Sequence, residues 1–145
     1  MRVVIQRVKN ASCVVNNELV SKINSGYMLL VGFTHSDTIE TVKKMAKKIV
    51  NLRIFEDEAG KMNLNITQVS GEILSISQFT LYANTKDGNR PSFTESMNPT
   101  EAKKLYELFN EELRSYNLTV KEGIFGAHME ISLINDGPVT INLEY

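Results

Sequence analysis

The chain is nearly neutral and has the size of one globular domain: its 145 residues, 42% hydrophobic and 23% charged, suffice for one well-buried core and not for two, which predicts a single domain over residues 1–145. The formal net charge of −1 excludes a global basic field, so any nucleic-acid contact must be local. The absence of a long apolar run, of a signal-peptide pattern and of a disulfide partner for Cys13 predicts a cytoplasmic protein with no membrane partner.

The N-terminal part of the chain predicts four β-strands. Three short segments rich in Val and Ile, Arg2 to Val8, Ala11 to Asn16 and Glu18 to Ile23, are separated by polar pairs and favour a β-meander. Cys13 lies in an apolar alternation, which indicates a buried thiol. After a turn, the apolar run from Tyr27 to Phe33 is typical of a central strand covered on both faces.

An amphipathic helix is predicted next. Asp37 followed by Glu40 has the spacing of a capping box at a helix start. Apolar residues then recur at three and four positions and form one face: Ile39, Val42, Met45, Ala46, Ile49 and Val50. The opposite face carries Lys43, Lys44, Lys47 and Lys48, which form the best local candidate for an RNA contact. A solvated helix face is the simpler interpretation of the same lysines.

The middle of the chain predicts a hairpin, a strand and a long loop. The acidic turn from Glu56 to Gly60 lacks the pattern of a calcium loop and is interpreted as a hairpin tip. Residues Glu72 to Ala83 predict a strand. The mostly polar residues from Asn84 to Asn98 then form a loop of a length that is usually functional or mobile.

The last third predicts a second helix and three strands. Asn98 as N-cap, Pro99 at the first helical position and Glu101 mark the helix start, and its apolar stripe is Ala102, Leu105, Leu108, Phe109, Leu113 and Tyr116. Strands are predicted at Thr119 to Glu122, His128 to Ile134 and Val139 to Glu144, the last two joined by a turn at 135–138.

These elements predict an α+β fold. Runs of strands interrupted by two main helices, without strict βαβ alternation, favour a mostly antiparallel sheet that curls toward a barrel and is covered by the helices. Many aliphatic residues in so small a sheet protein also make a homodimer plausible, although composition alone does not show one.

The common catalytic patterns are absent from the sequence. It has no G-x-S-x-G elbow, no Walker loop, no G-x-G-x-x-G and no H-E-x-x-H, and one cysteine with two distant histidines does not make a cysteine-rich zinc site. We therefore expect no metal and no cofactor. His35 and His128 each lie beside a predicted strand and are candidates for a general base, but solvated or structural histidines are commoner.

Two polar segments are hard to explain as packing alone. Ser77-Gln78-Phe79-Thr80 places three hydrogen-bonding side chains around one aromatic ring just before the long loop, although Thr and Phe also suit an edge strand. Gly137-Pro138 lies in the predicted turn, and a turn explains it by itself. A rigid pair of carbonyls facing a pocket could also select a substrate by shape.

Together, SQFTLYA at 77–83 and NDGPVT at 135–140 resemble the two signature motifs of the D-aminoacyl-tRNA deacylase family. The likeness extends over nearly the whole chain, including MRVVIQRV at the start and FGAHMEISL before the second motif. It implies a cofactor-free, metal-free hydrolase that cleaves the ester of D-aminoacyl-tRNA, and of glycyl-tRNA, while sparing L-aminoacyl-tRNA. It also implies a homodimer whose active site joins the two motifs across the subunit interface, with no DNA partner.

The resemblance also implies a role for each site residue. In the family the Gly-Pro bond is cis, and its carbonyls exclude L-amino acids at the chiral centre, a role that falls to Gly137 and Pro138. In the first motif the main chain at Gln78 and Phe79 would lie near the substrate carbonyl, Ser77 would help to hold the substrate, and Thr80 would lie close by. An RNA 2′-hydroxyl would help to activate water, with the Thr80 hydroxyl as the alternative nucleophile. The pocket or its support would include Arg7, Ala102 and Met129.

Within the enzyme class, a relative that edits an L-amino acid remains open, since it would only need the Gly-Pro carbonyls to be presented differently. Two functions outside the enzyme class also remain open from the sequence. A nucleic-acid-binding module would use the lysine-rich helix face and the loop around Lys86 and Arg90 but would leave charged tRNA intact. An interaction scaffold would use both polar segments only to make a dimer interface. Two motifs in the right order favour the deacylase over both.

Overall fold

The computed structural model describes residues 1–145, with eight strands and two α-helices. The strands are β1 (Arg2–Val15), β2 (Glu18–Ile23), β3 (Gly26–Gly32), β4 (Phe55–Glu56), β5 (Met62–Leu64), β6 (Glu72–Ser77), β7 (Val120–Glu122) and β8 (Glu130–Glu144). The helices are α1 (Ile39–Asn51) and α2 (Pro99–Arg114), and a 3-10 helix (Phe79–Tyr82) follows β6. Neither α-helix has the length and apolar character needed to cross a membrane.

The N-terminal strand is continuous and organises the sheet. The predicted break at Lys9-Asn10 is wrong: β8 pairs with Val8 and with Asn10 but not with Lys9, so the strand absorbs one extra residue as a bulge. The first half of β1 pairs with β3 and the second half with β2. The predicted three-stranded meander is therefore also wrong, because its first two segments form the single strand β1, which pairs with β2.

The main sheet is mixed, so the prediction of a mostly antiparallel sheet is not confirmed. β1 pairs antiparallel with β2, β3 and β8, whereas β6 runs parallel to both β3 and β7. The two parallel pairs follow from the helices, because α1 connects β3 with the later strands and α2 connects β6 with β7, and such crossovers return the chain to the same end of the sheet. β2 approaches β6 and β7, so the sheet curls into a nearly closed barrel, and the predicted α+β class is confirmed.

Apolar side chains fill both sides of β3. Tyr27, Leu29 and Val31 belong to the larger core, which lies between the sheet and the two helices, whereas Met28 belongs to a smaller cluster on the other side of the sheet. This alternation is the two-residue period of a strand and confirms a central strand covered on both faces. Cys13 is fully buried in the smaller cluster, as predicted.

Both helices occur where the sequence predicts them, but α1 starts differently. Thr38 rather than Asp37 is the N-cap, and Thr41 completes the reciprocal capping box. Asp37 is buried and accepts a hydrogen bond from the N-terminal ammonium of Met1. The Asp37 side chain, which the local spacing predicted as the helix cap, therefore forms a long-range ion pair with Met1 instead.

α2 begins as predicted. The Asn98 side chain accepts from the Glu101 amide, and Pro99 occupies the first turn, where no amide hydrogen is needed. The helix buries Ala102, Tyr106, Phe109, Asn110 and Leu113.

Two predicted boundaries beside the polar segments are wrong. β6 ends at Ser77 and not at Ala83, because the chain enters the 3-10 helix at Phe79. No turn separates two strands at 135–138, because β8 runs unbroken along the whole edge of β1. The hairpin tip at Glu56 to Gly60 is confirmed by the β4–β5 pairing.

Candidate active site

The first polar segment lies where β6 gives way to the 3-10 helix. The Gln78 amide donates to the Val31 carbonyl of the neighbouring strand at 2.7 Å. This close approach needs a glycine at position 32, since an added Cβ there would lie 2.8 Å from the Gln78 carbonyl oxygen. The next side chain, Phe79, is 58% exposed. The segment thus has a fixed backbone and an outward-facing aromatic ring.

The backbone of this segment leaves two amides without acceptors. The Gln78 carbonyl accepts from the Leu81 amide at 3.3 Å, but the amides of Phe79 and Thr80 donate to no group in the chain. The amide of Gln78 is used within the sheet, so Phe79 and Thr80 supply the free donors of this segment. Such donors can stabilise an oxyanion.

The Thr80 hydroxyl has one hydrogen-bonding partner, the side-chain amide of Gln78. No imidazole or carboxylate is hydrogen-bonded to it. The hydroxyl therefore lacks the general base that activates a serine or threonine nucleophile.

A cavity of about 620 Å³ opens beside this segment. It brings together five of the sequence-predicted site residues: Ser77, Gln78, Phe79, Ala102 and Met129. Ala102 comes from the first turns of α2, and Met129 immediately precedes β8. Thr80 adjoins the cavity in sequence but does not line it.

Several lining residues were not predicted as site residues. Phe93, Ser96 and Met97 come from the long polar loop, whose length did indicate a functional segment, and Phe125 comes from the loop after β7. The apolar character of Phe93, Met97 and Phe125 gave no signal of function, because Phe and Met are ordinary core residues.

The long loop is tied to the first polar segment. The Ser96 hydroxyl donates to the Phe79 carbonyl at 3.0 Å, and the Thr34 hydroxyl donates to the Glu95 carbonyl at 2.6 Å. The Phe79 and Phe93 rings pack edge to face with centroids 5.1 Å apart. One wall of the cavity is therefore held by hydrogen bonds to the 3-10 helix and to the segment that follows β3.

The two histidines lie in different places. The His35 ring nitrogen Nε2 lies 2.8 Å from the Thr94 carbonyl, so His35 helps to hold the loop and does not line the cavity. His128 is exposed and lines the cavity. No three His, Cys, Asp or Glu side chains are grouped as metal ligands.

A buried hydrogen bond connects α2 to the strand below the cavity. The Tyr106 hydroxyl donates to the Ser75 carbonyl at 2.7 Å. Burial raises the pKa of Tyr106 to about 12, so the hydroxyl stays protonated and remains a donor. This bond fixes the distance between Ala102 on the helix and Ser77 on the strand.

The second polar segment forms a bulge in β8. Four residues, 136–139, stand opposite Arg7 alone, because Gln6 pairs with Thr140 and Val8 with Asn135. The Gly137–Pro138 peptide is cis, and Gly137 has a φ of 127°, a region that favours glycine.

The Arg7 side chain supports this bulge through a hydrogen bond. Its side chain is buried, Nε donates to the Asp136 carbonyl at 3.0 Å, and Nη1 donates to the Ile54 carbonyl at 2.6 Å. The planar guanidinium thus connects two segments with bonds in fixed directions. Gly137 and Pro138 are exposed and do not line the cavity, so one chain does not bring the two polar segments into one site.

Known proteins resemble the chain over its full length. The family model for D-Tyr-tRNA(Tyr) deacylase matches residues 4–144. The D-aminoacyl-tRNA deacylase of an Exiguobacterium species is 57% identical and covers 99% of this chain and 98% of its own length. That of Lactobacillus gasseri is also 57% identical and covers 99% of both chains.

Two solved structures share the fold. A c-Myc DNA unwinding element binding protein has a TM-score of 0.94 and 42% identity, covering 100% of this chain and 99% of that one. A probable eukaryotic D-amino acid tRNA deacylase has a TM-score of 0.82 at 18% identity, covering 98% of this chain and 97% of that one, and this likeness concerns the fold alone. With the family match over residues 4–144 and the 57% identical relatives, the chain belongs to the D-Tyr-tRNA(Tyr) deacylase family.

Proposed function

We propose that this protein hydrolyses the ester that joins a D-amino acid to the terminal ribose of tRNA, releasing tRNA and the free amino acid. Family membership and the names of its 57% identical relatives support this reaction. The structural observation that carries this proposal is the free amide of Phe79. This residue lines the cavity, and its amide has no acceptor within the chain.

Ester hydrolysis needs a water nucleophile and a donor for the oxyanion that forms. The water oxygen attacks the ester carbonyl carbon, the carbonyl oxygen takes up negative charge, and the bond to the ribose oxygen then breaks. In the proposed site the amides of Phe79 and Thr80 donate to that oxyanion, and Ser77 and Gln78 hold the substrate. The leaving ribose oxygen receives the proton that water loses.

The water is activated by the neighbouring 2′-hydroxyl of the RNA. No protein base is hydrogen-bonded to the Thr80 hydroxyl, whose single hydrogen-bonding partner is the Gln78 side chain. An activating group supplied by the substrate is consistent with that arrangement, and the reaction needs no cofactor or metal. A cavity of about 620 Å³ falls within the ~300–1,000 Å³ range of small-molecule sites, so it suits the amino acid and the terminal nucleoside.

Selection against L-amino acids is assigned to Gly137 and Pro138 of a second copy. Both residues are exposed, neither lines the cavity of its own chain, and Arg7 holds the carbonyl that precedes them. Inserted into a partner's cavity, their carbonyls would conflict with the side chain of an L-residue and admit a D-residue or glycine. Glycyl-tRNA is therefore a second substrate.

The free edge of β8 supports the homodimer. This strand of 15 residues pairs only with β1, so its other edge presents unpaired backbone groups. Large apolar side chains are exposed along or near it, including Ile134 at 54% and Phe79 at 58%. A second copy would cover these groups and bring the two polar segments together.

The deciding experiment compares D-tyrosyl-tRNA, L-tyrosyl-tRNA and glycyl-tRNA as substrates for the purified protein after treatment with a chelator. We expect rapid release of D-tyrosine and glycine and none of L-tyrosine above the spontaneous rate. Equal loss of both tyrosyl esters would contradict the Gly137-Pro138 selection. Loss of neither would mean a nucleic-acid-binding module without catalysis.

A further inference from the structure

We propose that the outward face of α1, formed by Lys43, Lys44, Lys47 and Lys48, binds the phosphate backbone of the duplex stem that carries the aminoacylated end of the RNA. This inference rests on the proposed function, because it names the surface that holds the same substrate outside the cavity.

All four lysines are exposed and share one face of the helix. The opposite side of α1 buries Val42, Met45, Ala46, Ile49 and Val50 against the core. Lys43 and Lys47 are one turn apart, which separates them by about 6 Å along the helix axis. The face is therefore a compact row of cations held on a rigid element.

None of these lysines forms an ion pair within the chain. The contrast with α2 is direct, since Lys103 pairs with Glu107 at 3.8 Å and Lys104 with Glu101 at 2.9 Å. The lysines of α2 therefore have carboxylate partners within the chain, whereas the lysines of α1 have none and are available to a binding partner.

The helix compositions lead to the same conclusion. α1 contains four lysines and a single acidic residue, Glu40, while α2 contains four glutamates against three basic residues. The whole chain has a net charge of −1, so the α1 face is a local feature and not part of a generally basic surface. Such a patch is complementary to a polyanion.

One lysine of the face also contacts an aromatic ring. The Lys44 ammonium lies 4.2 Å from the centroid of the Tyr145 ring. This cation–π contact restrains the lysine at the surface without neutralising its charge. The ammonium can therefore still donate to a phosphate oxygen.

The position of α1 suits the shape of the substrate. The helix starts shortly after Val31, Gly32 and Phe33, which line the cavity, and it packs beside α2, whose first turn also lines it. The ester of tRNA lies at the end of a short single strand, so the duplex stem begins outside the cavity. A basic helix that packs on α2, which lines the cavity, can bind that stem while the ester is inside.

The test uses the full chain with two matched double variants, Lys43→Gln/Lys47→Gln on α1 and Lys103→Gln/Lys104→Gln on α2. Both remove two exposed lysines, so thermal unfolding should be unchanged in each. Hydrolysis is measured with D-tyrosyl-tRNA and with D-tyrosyl-adenosine, which lacks the stem. Binding is measured with a fluorescent RNA hairpin between 50 and 200 mM salt.

We expect the α1 variant to raise KM for D-tyrosyl-tRNA about tenfold, with little change for D-tyrosyl-adenosine. The slope of log Kd against log salt concentration for the hairpin should fall by about two, one for each phosphate that the variant no longer neutralises. The α2 variant should change neither quantity by more than about twofold, because its lysines already have carboxylate partners.

Three results would overturn the inference. They are unchanged KM and salt slope in the α1 variant, equal effects in the α2 variant, or a DNA hairpin of the same sequence bound more tightly than the RNA through the same lysines. Failure of the proposed function is distinct from all three, because the unsubstituted protein would then leave D-tyrosyl-tRNA intact. Hairpin binding would still report on the lysines in that case.

Discussion

Replacing Thr80 by valine separates the two proposed ways of activating the nucleophile. The substitution keeps the branched shape and removes the hydroxyl, whose single partner is the Gln78 side chain. A neutral hydrogen bond of this kind is worth about 0.5–1.5 kcal/mol, which corresponds to at most about a tenfold loss of kcat/KM. Removing a true nucleophile from a hydrolase costs on the order of a millionfold in kcat.

The assay follows single-turnover release of D-tyrosine from D-tyrosyl-tRNA, with Thr80→Ser as the control that retains a hydroxyl. A second substrate ends in 2′-deoxyadenosine, so it lacks the hydroxyl proposed to activate water. We expect both variants to stay within about tenfold of the unsubstituted protein. The deoxy substrate should react about 10² to 10⁴ times more slowly with all three proteins, the usual contribution of general base catalysis.

The reasoning is refuted if Thr80→Val loses more than about a thousandfold in rate while Thr80→Ser retains activity and both fold normally. That result would make the Thr80 hydroxyl the nucleophile. It would also require a general base, although no imidazole or carboxylate is hydrogen-bonded to this hydroxyl in the structure. A deoxy substrate that reacts at the normal rate would separately refute activation by the RNA.

Four further predictions concern groups that support the site. Arg7→Lys should lower the free energy of unfolding in urea by about 2 kcal/mol, because one ammonium does not reproduce a fork that donates to the buried Ile54 carbonyl and to the partly buried Asp136 carbonyl; an unchanged free energy would contradict this supporting role of Arg7. Gly137→Ala should lower the free energy of unfolding by about 1–3 kcal/mol, since the φ of 127° at this position is strained for alanine. An unchanged urea unfolding curve would exclude that strain. Tyr106→Phe should lower the free energy of unfolding by about 0.5–1.5 kcal/mol, because it removes one of the two hydrogen bonds to the Ser75 carbonyl and leaves the one from the Gly123 amide; denaturation of the two proteins side by side measures it. The Cys13 thiol, fully buried and with its pKa raised by burial, should react with a thiol reagent only as the protein unfolds; fast labelling of the native protein would show an open barrel.

Helices and loops could be predicted from the sequence because their signals are local. The stripe that includes Val42 and Met45 occurs at helical spacing, and Asn98 with Pro99 fixes the start of α2 within a few residues. The long polar loop likewise contains no regular helix or strand longer than an isolated bridge. Each of these features depends on neighbours in sequence.

The sequence-based predictions are wrong where contacts between distant segments determine the local structure. Asp37 has the spacing of a cap, yet the ammonium of Met1 binds it and Thr38 caps instead. Lys9-Asn10 and the segment 135–138 have the composition of turns, yet both lie inside long strands, because β1 and β8 pair along their full lengths and absorb the extra residues as bulges. No pattern within one segment reveals such a pairing.

The bulge in β8 also shows what the two sequence motifs could not predict, which is where the two polar segments lie relative to each other. Both polar segments are recognisable as short strings, but within one chain they lie apart: the first lines the cavity, and the second projects from the β1–β8 pair above Arg7. In the proposed homodimer, Gly137 and Pro138 of a second copy would complete the cavity beside the free amide of Phe79, which is an arrangement that no pattern within one segment of the sequence could predict.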